Sequence, residues 1–457
     1  MARIGFADHL FLRMHHGIGN PVFNQFVWRF DNALPDAELK KLHTNLSQGL
    51  LARAVLAPML PTARHRWVQS EESMPLDLAS TTIAQDAVRC WAEQRVVDGL
   101  DPEQGTGWQL AAARIDGGGM VLSLVCSHMI ADGAAMIAAV RQANQAQPSV
   151  RAADLGSRPS LIRGLVDDFD DTIGELKPIV EGAARTVADG IAGIGRAPSP
   201  GAAPKPEQPH RSVVAGNSDL WSPPYVVIEC PADEWKATAA EWGGTSTSLF
   251  IGVMTALAER LGRARPGDEL RWSLPYSDRD IGDLDANSTK IVPVRVPVSE
   301  TADRDLTRIR KAVKTALTEF TARLQTGNAA AAVPLQLVQM LPDSLVARMP
   351  MPSDGAEGLC SNLGRVPDDF AMIGGFAAAS ISARAIFAGA DPAFARSLGG
   401  GSTAWACETA DTVTITVHGM DPDRIRTDEQ MREAVAAVLA RGDHAAQQRD
   451  SRARRHH

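Results

Sequence analysis

The chain of 457 residues is longer than one hydrophobic core usually supports, so we expect two domains of about 200 residues each. Its net charge of -8 argues against nucleic-acid binding, which needs a concentrated basic face. The five cysteines are scattered, without a CxxC pair, which argues against a zinc ribbon or disulfide framework and favours the reducing cytoplasm. We expect no signal peptide, because MARIGFADHLFL lacks a basic start followed by an apolar region and a small-residue cleavage site, and no transmembrane helix, because no apolar run reaches about 18 residues.

Residues 1–150 alternate between strand-like and helix-like patterns and predict a first α/β domain. Three glycines at 117–119 separate two apolar runs, which predicts a hairpin turn. The predicted elements are, in chain order, a strand at 23–31, helices at 36–53 and 83–99, hairpin strands at 108–116 and 120–128, and a helix at 134–144.

Residues 151–215 predict a connection between the domains. Apolar residues recur every three or four positions from Leu165 to Val180, which indicates an amphipathic helix. Five prolines between 196 and 209 predict an extended linker, and this is the clearest domain boundary. The polar face of the helix carries five acidic residues between 167 and 175, which an anionic membrane would repel. We therefore interpret the helix as a brace on one domain, with peripheral membrane contact as the alternative.

Residues 216–445 show the same alternation and predict a second α/β domain. Prolines within the strand at 290–298 place it at a sheet edge. The predicted elements are strands at 225–230, 269–277, 290–298 and 412–419, and helices at 245–263, 302–324 and 428–442. Residues 446–457 are expected to be a disordered tail.

The stretch CSHMIADG ends the second hairpin strand and enters the next helix. An imidazole at such a strand end, here that of His128, can project into a cleft and act as a general base near neutral pH. Asp132 can either orient the imidazole or pair with an arginine and hold the loop in shape. Gly133 would let the chain turn into the helix without a side-chain clash. No GxSxG or HExxH motif occurs, so neither a serine nucleophile nor a metal site is predicted.

The hairpin, the SHMIADG stretch and the helix resemble the HxxxDG region of the CoA-dependent acyltransferase superfamily. That group includes chloramphenicol acetyltransferase, condensation domains, polyketide-associated acyltransferases and wax ester synthase/diacylglycerol acyltransferases. The resemblance extends over nearly the whole chain, through FADHLFLR, SLPYSDRD, DANSTKIVPVRVPV, CSNLGRVPDDFAMIGG and TVTITVHGMDPD. It implies two α/β domains of the chloramphenicol-acetyltransferase-like fold, each a mixed sheet flanked by helices. It also implies an active-site tunnel between them and a segment of the second domain that reaches back to the first.

The resemblance further implies roles for individual residues. His128 would take a proton from an acceptor hydroxyl or amine, which attacks an acyl thioester. Asp132 would be structural, with Arg279 as its ion-pair partner. The candidates for contacts to the oxyanion or the substrate are Ser361, Asn362 and Asn287. The co-substrate would be acyl-CoA or a phosphopantetheine thioester on an acyl carrier protein, with no tightly bound cofactor.

Two departures leave the branch of the superfamily open. Ser127 stands where many members carry a first histidine, and the DFGWG motif of the plant enzymes is absent. The leading hypothesis is transfer of an acyl group from a thioester to a hydroxyl of a lipid, glycolipid or natural product. The alternatives are a condensation-type enzyme that forms an amide on carrier-bound substrates and a non-catalytic member that serves as a binding or scaffold protein.

Overall fold

The computed structural model describes residues 2–16, 20–95, 99–145, 152–175, 221–277, 279, 285–298, 305–326 and 355–453, with the side chains of all of these except residues 16, 152, 153, 326 and 441–453. The linker predicted at 196–209 lies outside these residues. The described residues form two lobes, each with a mixed sheet and a large buried core. This arrangement is the two-lobed α/β architecture that the resemblance implies.

The first lobe is built on a five-stranded sheet in the order β13-β1-β6-β5-β4, in which β13 (Ser380–Phe387) comes from the C-terminal half of the chain. Its elements are α1 (Phe6–His16), β1 (Val22–Phe30), α2 (Asp36–Leu46), β2 (Arg53–Leu56), β3 (Arg66–Gln69), β4 (Asp77–Leu78), α3 (Val88–Glu93), β5 (Trp108–Arg114), β6 (Met120–Ser127) and α4 (Gly133–Asn144). β5 and β6 pair antiparallel across the predicted turn, in which Gly117 and Gly118 have positive φ. Every residue of β6 is buried, because this strand lies inside the sheet.

Two predicted helices of this lobe are shorter than their sequence patterns. The helix expected at 36–53 ends at Leu46, and the residues from Arg53 onward form β2, which pairs with β3. The helix expected at 83–99 consists of a 3₁₀ turn followed by α3, which ends at Glu93. The residues that follow each helix form turns, at 47–51 after α2 and at 94–95 after α3, so the helical pattern of the sequence runs past the point where each helix ends.

The helix α5, residues 161–175, packs on the first lobe through its acidic face. The Asp168 carboxylate accepts a hydrogen bond from the Met59 amide (2.6 Å) and pairs with Arg3 (2.9 Å) and Arg66. Burial alone would raise the pKa of Asp168, but its hydrogen bonds with Met59 and Arg3 hold that pKa below the usual range. The acidic face therefore supplies counter-charges to buried guanidinium groups, which would be costly to leave unpaired.

The apolar side chains of α5 are the exposed ones. Six of them are 46–81% exposed: Leu161, Ile162, Leu165, Val166, Phe169 and Ile173. Most of the carboxylates on the acidic face are therefore paired inward with the first lobe, whereas Asp170 is exposed. The brace interpretation fits these contacts. Membrane contact by α5 stays a prediction. The carboxylates that were expected to repel an anionic membrane are mostly paired with arginines of the first lobe, and the apolar side chains are on the outer surface. No helix in the described ranges has both the length and the apolar character needed to cross a bilayer.

The second lobe is built on a six-stranded sheet in the order β7-β15-β14-β10-β8-β9. The elements of the C-terminal half are β7 (Tyr225–Pro231), α6 (Ala232–Glu241), α7 (Ser246–Arg260), β8 (Glu269–Ser277), β9 (Thr289–Pro297), α8 (Thr307–Thr326), β10 (Gly358–Arg365), α9 (Asp368–Ala371), β11 (Met372–Ile373), β12 (Phe376–Ala377), β13 (Ser380–Phe387), α10 (Pro392–Ser397), β14 (Ser402–Glu408), β15 (Thr412–Gly419) and α11 (Asp428–Ala453). β8 and β15 have the bounds that the sequence predicts. β9 lies at the sheet edge, as its prolines predict.

The strand β13 belongs to the first sheet although it comes from the C-terminal half of the chain. It pairs antiparallel with β1 over eight residues and places Ile381 and Ala383 in the first core. This strand is a segment that reaches back, as the resemblance implies. The chain therefore does not divide into two independent cores at residue 216.

The last helix, α11, is longer than predicted. It continues to Ala453, into the stretch from 446 for which the sequence analysis expects a disordered tail. The added residues include alanine, glutamine and arginine, which are good helix formers. The remaining residues, 454–457, lie outside the described part of the chain.

Candidate active site

The imidazole of His128 is presented by the loop that joins β6 to α4. The His128 amide donates a hydrogen bond to the Val22 carbonyl (2.9 Å), so the loop is still held to the start of β1. The buried Ser127 hydroxyl accepts a hydrogen bond from the Met129 amide (3.3 Å). The serine that departs from the family pattern thus helps to hold the loop.

The Asn287 side chain fixes the protonation of the His128 ring. Ring atom Nδ1 lies 2.9 Å from Asn287 Oδ1. Asn287 Nδ2 donates to the His128 carbonyl (2.8 Å) and to Asp8 Oδ1 (2.9 Å). Both amide hydrogens are therefore in use, and Oδ1, which can only accept, faces the ring. His128 consequently carries its hydrogen on Nδ1 and leaves the lone pair of Nε2 available to take a proton.

The ring of His128 is also held by packing. Phe11 of α1 stacks on it, with ring centroids 3.9 Å apart and an angle of 15° between the planes. Burial lowers the pKa of His128 from its ordinary value of 6.5, against the opposing effects of the Asp132 charge and the Asn287 hydrogen bond. The imidazole is therefore neutral at pH 7, as a general base must be. Phe11 and Asp8 are residues of this site that the sequence reasoning missed.

Asp132 joins the HxxxDG loop to the start of β9. Its Oδ1 caps α4 by accepting a hydrogen bond from the Ala135 amide (2.8 Å). Its Oδ2 accepts from the amides of Ser288 (3.0 Å) and Thr289 (3.2 Å) and from the Thr289 hydroxyl (2.8 Å). The guanidinium of Arg279 lies 3.5 Å from Oδ1, as the resemblance implies. Because Asn287 occupies Nδ1 of the imidazole, the hydrogen bonds of Asp132 hold the loop and the start of β9, and only the charge of its carboxylate affects the ring.

Gly133 is the first residue of α4 and has no positive φ. A Cβ added there would meet only Leu363 of β10, at an ordinary contact distance of 3.6 Å. The clash that the sequence analysis expected glycine to avoid is therefore not present. What the contact does show is that β10 of the second lobe passes directly in front of the HxxxDG loop.

Ser361 and Asn362 lie on opposite faces of β10 because side chains alternate along a strand. Asn362 faces the second lobe, where its Nδ2 donates to Thr247 Oγ1 (2.8 Å) and its Oδ1 accepts from the Gly364 amide (2.8 Å). Ser361 shares its face with Leu363, which packs against the first core. Neither side chain hydrogen-bonds His128 within the described residues. Ser361 is the one of the pair on the face towards the HxxxDG loop.

Other features of the described residues lie away from this site. A cavity of about 230 Å³ near the end of β1 is lined by residues that include Arg29, Glu229 and Ser380, but by none of the candidate site residues. The tunnel to His128 therefore stays a prediction. All five cysteines are free, and burial raises the pKa of the Cys126 and Cys360 thiols above their ordinary value. These two thiols are not suited to nucleophilic catalysis.

The fold is the two-lobed chloramphenicol-acetyltransferase-like fold, which also occurs in condensation domains and in the CoA-dependent acyltransferase superfamily. The first condensation domain of the CDA synthetase is similar, with a TM-score of 0.58 and 13% identity over 96% of each chain. The wax ester synthase/diacylglycerol acyltransferase from Marinobacter aquaeolei VT8 has a TM-score of 0.53 and 14% identity over 97% of this chain and 100% of that one. Polyketide synthase associated protein 5 from Mycobacterium tuberculosis has a TM-score of 0.51 and 12% identity over 96% of this chain and 97% of that one.

These similarities confirm the predicted resemblance at the level of the fold. No protein-family model matches the sequence. No curated protein matches it either. The choice of reaction therefore depends on the residues of the site.

Proposed function

We propose that the chain transfers an acyl group from a thioester to a hydroxyl of a lipid, glycolipid or natural-product acceptor, with His128 as the general base. One observation carries this proposal. The Asn287 amide holds the hydrogen of His128 on Nδ1, so that Nε2 of a neutral, partly buried imidazole is free to accept a proton. The cytoplasm is the proposed location, in keeping with five free cysteines.

In the proposed reaction, Nε2 of His128 takes the proton of the acceptor hydroxyl as the oxygen attacks the thioester carbonyl carbon. The Asn287 oxygen bonded to Nδ1 stabilises the imidazolium that forms. The tetrahedral intermediate then expels the thiolate, which recovers the proton from Nε2. The products are an ester and a free thiol, and the protein is returned to its initial state.

The donor is either acyl-CoA or an acyl group on a carrier protein. A condensation-type reaction is the second candidate, because the CDA synthetase condensation domain has the same fold. It would use the same base, with an amine in place of the hydroxyl. A non-catalytic binding or scaffold role is the third candidate, and it gives no reason for the free Nε2.

Thioester consumption tests the proposal. The purified protein would be incubated first with acyl-CoAs of short and long chain and then with acyl carrier-protein thioesters, each with alcohols, amines and lipids, and free thiol and product mass would be measured. Acceptor-dependent thiol release with an ester product is the expected result. An amide product would favour the condensation reaction. No release from either CoA or carrier-protein donors would leave the binding or scaffold role.

We propose that Ser361 donates a hydrogen bond to the oxyanion of the intermediate. Ser361→Ala should lower kcat by about 10²-fold, the low end of the loss for one oxyanion donor. Asn362→Ala is the matched control on the opposite face of β10. It should lower the melting temperature, because the hydrogen bonds of Asn362 with Thr247 and Gly364 hold the structure, and it should leave kcat nearly unchanged. Equal losses of kcat in the two variants would contradict this assignment.

The pH dependence of turnover follows from the lowered pKa of His128. Only the neutral imidazole is a base, so turnover should fall about tenfold per pH unit below a midpoint that lies under 6.5, and should be flat from there to pH 8. The Asn287 hydrogen bond favours the imidazolium, so Asn287→Ala should move this midpoint to lower pH. Circular dichroism at each pH would show that the protein is folded. A midpoint above 6.5, or a shift to higher pH in the variant, would count against His128 as the base.

A further inference from the structure

Asp8 lies behind the pair formed by His128 and Asn287. It belongs to the first turn of α1, and the residue is 4% exposed. Its Oδ1 accepts a hydrogen bond from Asn287 Nδ2 (2.9 Å), and its Oδ2 accepts one from the Gly5 amide (2.9 Å). The hydrogen-bonded series His128–Asn287–Asp8 therefore runs from the loop after β6, through the segment just before β9, to α1.

We infer that Asp8 is a positioning residue that holds the Asn287 amide in the orientation that keeps Nε2 of His128 free. This inference rests on the proposed function and deepens it. The side-chain amide of Asn287 has nearly the same shape when its oxygen and nitrogen exchange places. An amide turned over in this way would present Nδ2 to ring atom Nδ1. Nδ1 would then have to accept, the ring hydrogen would move to Nε2, and the base would be lost.

The chemistry of the contacts requires a carboxylate at this position. Both partners of Asp8 are N–H donors, and an ionised carboxylate suits them because it has two acceptor oxygens and no hydrogen of its own. An asparagine would turn its own amide hydrogens towards one of the two donors. Burial raises the pKa of Asp8 above its ordinary value, while the hydrogen bonds from Asn287 and Gly5 and the charge of the fully buried Arg53 act in the opposite direction and favour the ionised form. A negatively charged acceptor also polarises the Asn287 amide, which strengthens the hydrogen bond that its oxygen accepts from Nδ1 of the ring.

The competing explanation is that Asp8 only caps α1. Its bond to the Gly5 amide is that of an acid in the first turn of a helix, which stabilises the helix end. Asp391, which caps α10 through the Phe394 amide (2.6 Å) in the C-terminal half, offers a matched loss of a capping carboxylate away from the ring. A cap alone changes stability but has no means to move the hydrogen on the His128 ring.

The test combines ring-nitrogen NMR with kinetics. In protein labelled with ¹⁵N-histidine, the His128 signals would be assigned by their loss in His128→Ala. Wild type and Asp391→Ala should show a protonated Nδ1 and an unprotonated Nε2. Asp8→Ala and Asp8→Asn should show a mixture with the Nε2-protonated form, and kcat should fall about 10- to 100-fold with KM unchanged, a part of what a general base contributes.

An unchanged ring tautomer and kcat in Asp8→Ala, with a loss of stability like that of Asp391→Ala, would overturn the inference. Should Asp8→Ala not fold, Asp8→Asn decides, because it keeps the volume of the side chain. The NMR measurement needs no substrate. It therefore separates a wrong role for Asp8 from a wrong proposal for the reaction.

Discussion

Replacement of His128 by alanine should lower acceptor-dependent thiol release by about 10²- to 10⁴-fold, the usual contribution of a positioned general base. The reason is geometric. The one N–H hydrogen of the neutral imidazole is on Nδ1, where Asn287 accepts it, so Nε2 can take the proton of the acceptor. The KM for the thioester should stay the same, since the base acts on the acceptor proton in the transition state. Initial rates at several donor and acceptor concentrations would measure both constants.

A second histidine supplies the control for this variant. His43 is partly buried, bonds the Met74 carbonyl through Nε2 (2.8 Å) and packs beside Trp108. His43→Ala should remove a comparable amount of packing without loss of turnover. The melting temperature of His128→Ala should change little, because among the described residues its ring makes one hydrogen bond and one stacking contact. Full turnover by His128→Ala would refute general-base catalysis by this residue.

The sequence predicted the elements whose signals are local. The strands at 269–277 and 412–419 have alternating patterns and the bounds that were expected. The three glycines defined the hairpin, and the prolines placed β9 at an edge. Each of these signals depends on residues within a few positions of one another, which is why they could be interpreted without the rest of the fold.

Features that depend on distant pairing could not be predicted in the same way. The crossing strand β13 has no local mark of the sheet that it joins, and its partner β1 is more than 350 residues away. The pattern of α5 shows two faces but does not show which of them is buried, since that depends on arginines contributed by the first lobe. In the same way, Asp8 and Asn287 are 279 positions apart, and only the fold brings them together.

The candidate site was predicted only in part, because some of its residues are close in the sequence and others are brought together only by the fold. His128 and Asp132 belong to one short motif, so their proximity follows from the sequence. Arg279 came from the resemblance, and the structure places it beside Asp132. The role of Asn287 as the partner of the imidazole could not be derived, because an asparagine before a strand more often bonds a neighbouring loop.

Loss of Asp132 should reduce stability and turnover together. Its carboxylate is 2% exposed and accepts hydrogen bonds from Ala135, Ser288 and Thr289. Asp132→Ala would leave these donors and the nearby Arg279 without their acceptor, so the free energy of unfolding should fall by about 3–5 kcal/mol, the usual effect of removing one partner of a buried charge pair. Urea denaturation followed by circular dichroism would measure the change.

Asp132→Asn should be nearly as harmful, although it keeps the shape of the side chain. One oxygen must accept from the Ala135 amide and the other from the Ser288 and Thr289 amides, so the NH₂ group of asparagine would meet a donor in either orientation. Because residues 288 and 289 follow Asn287, their displacement should also move the partner of the His128 ring and lower kcat. Loss of turnover at unchanged stability would instead mean that Asp132 acts on the imidazole directly, and the loop-fixing role would have to be abandoned.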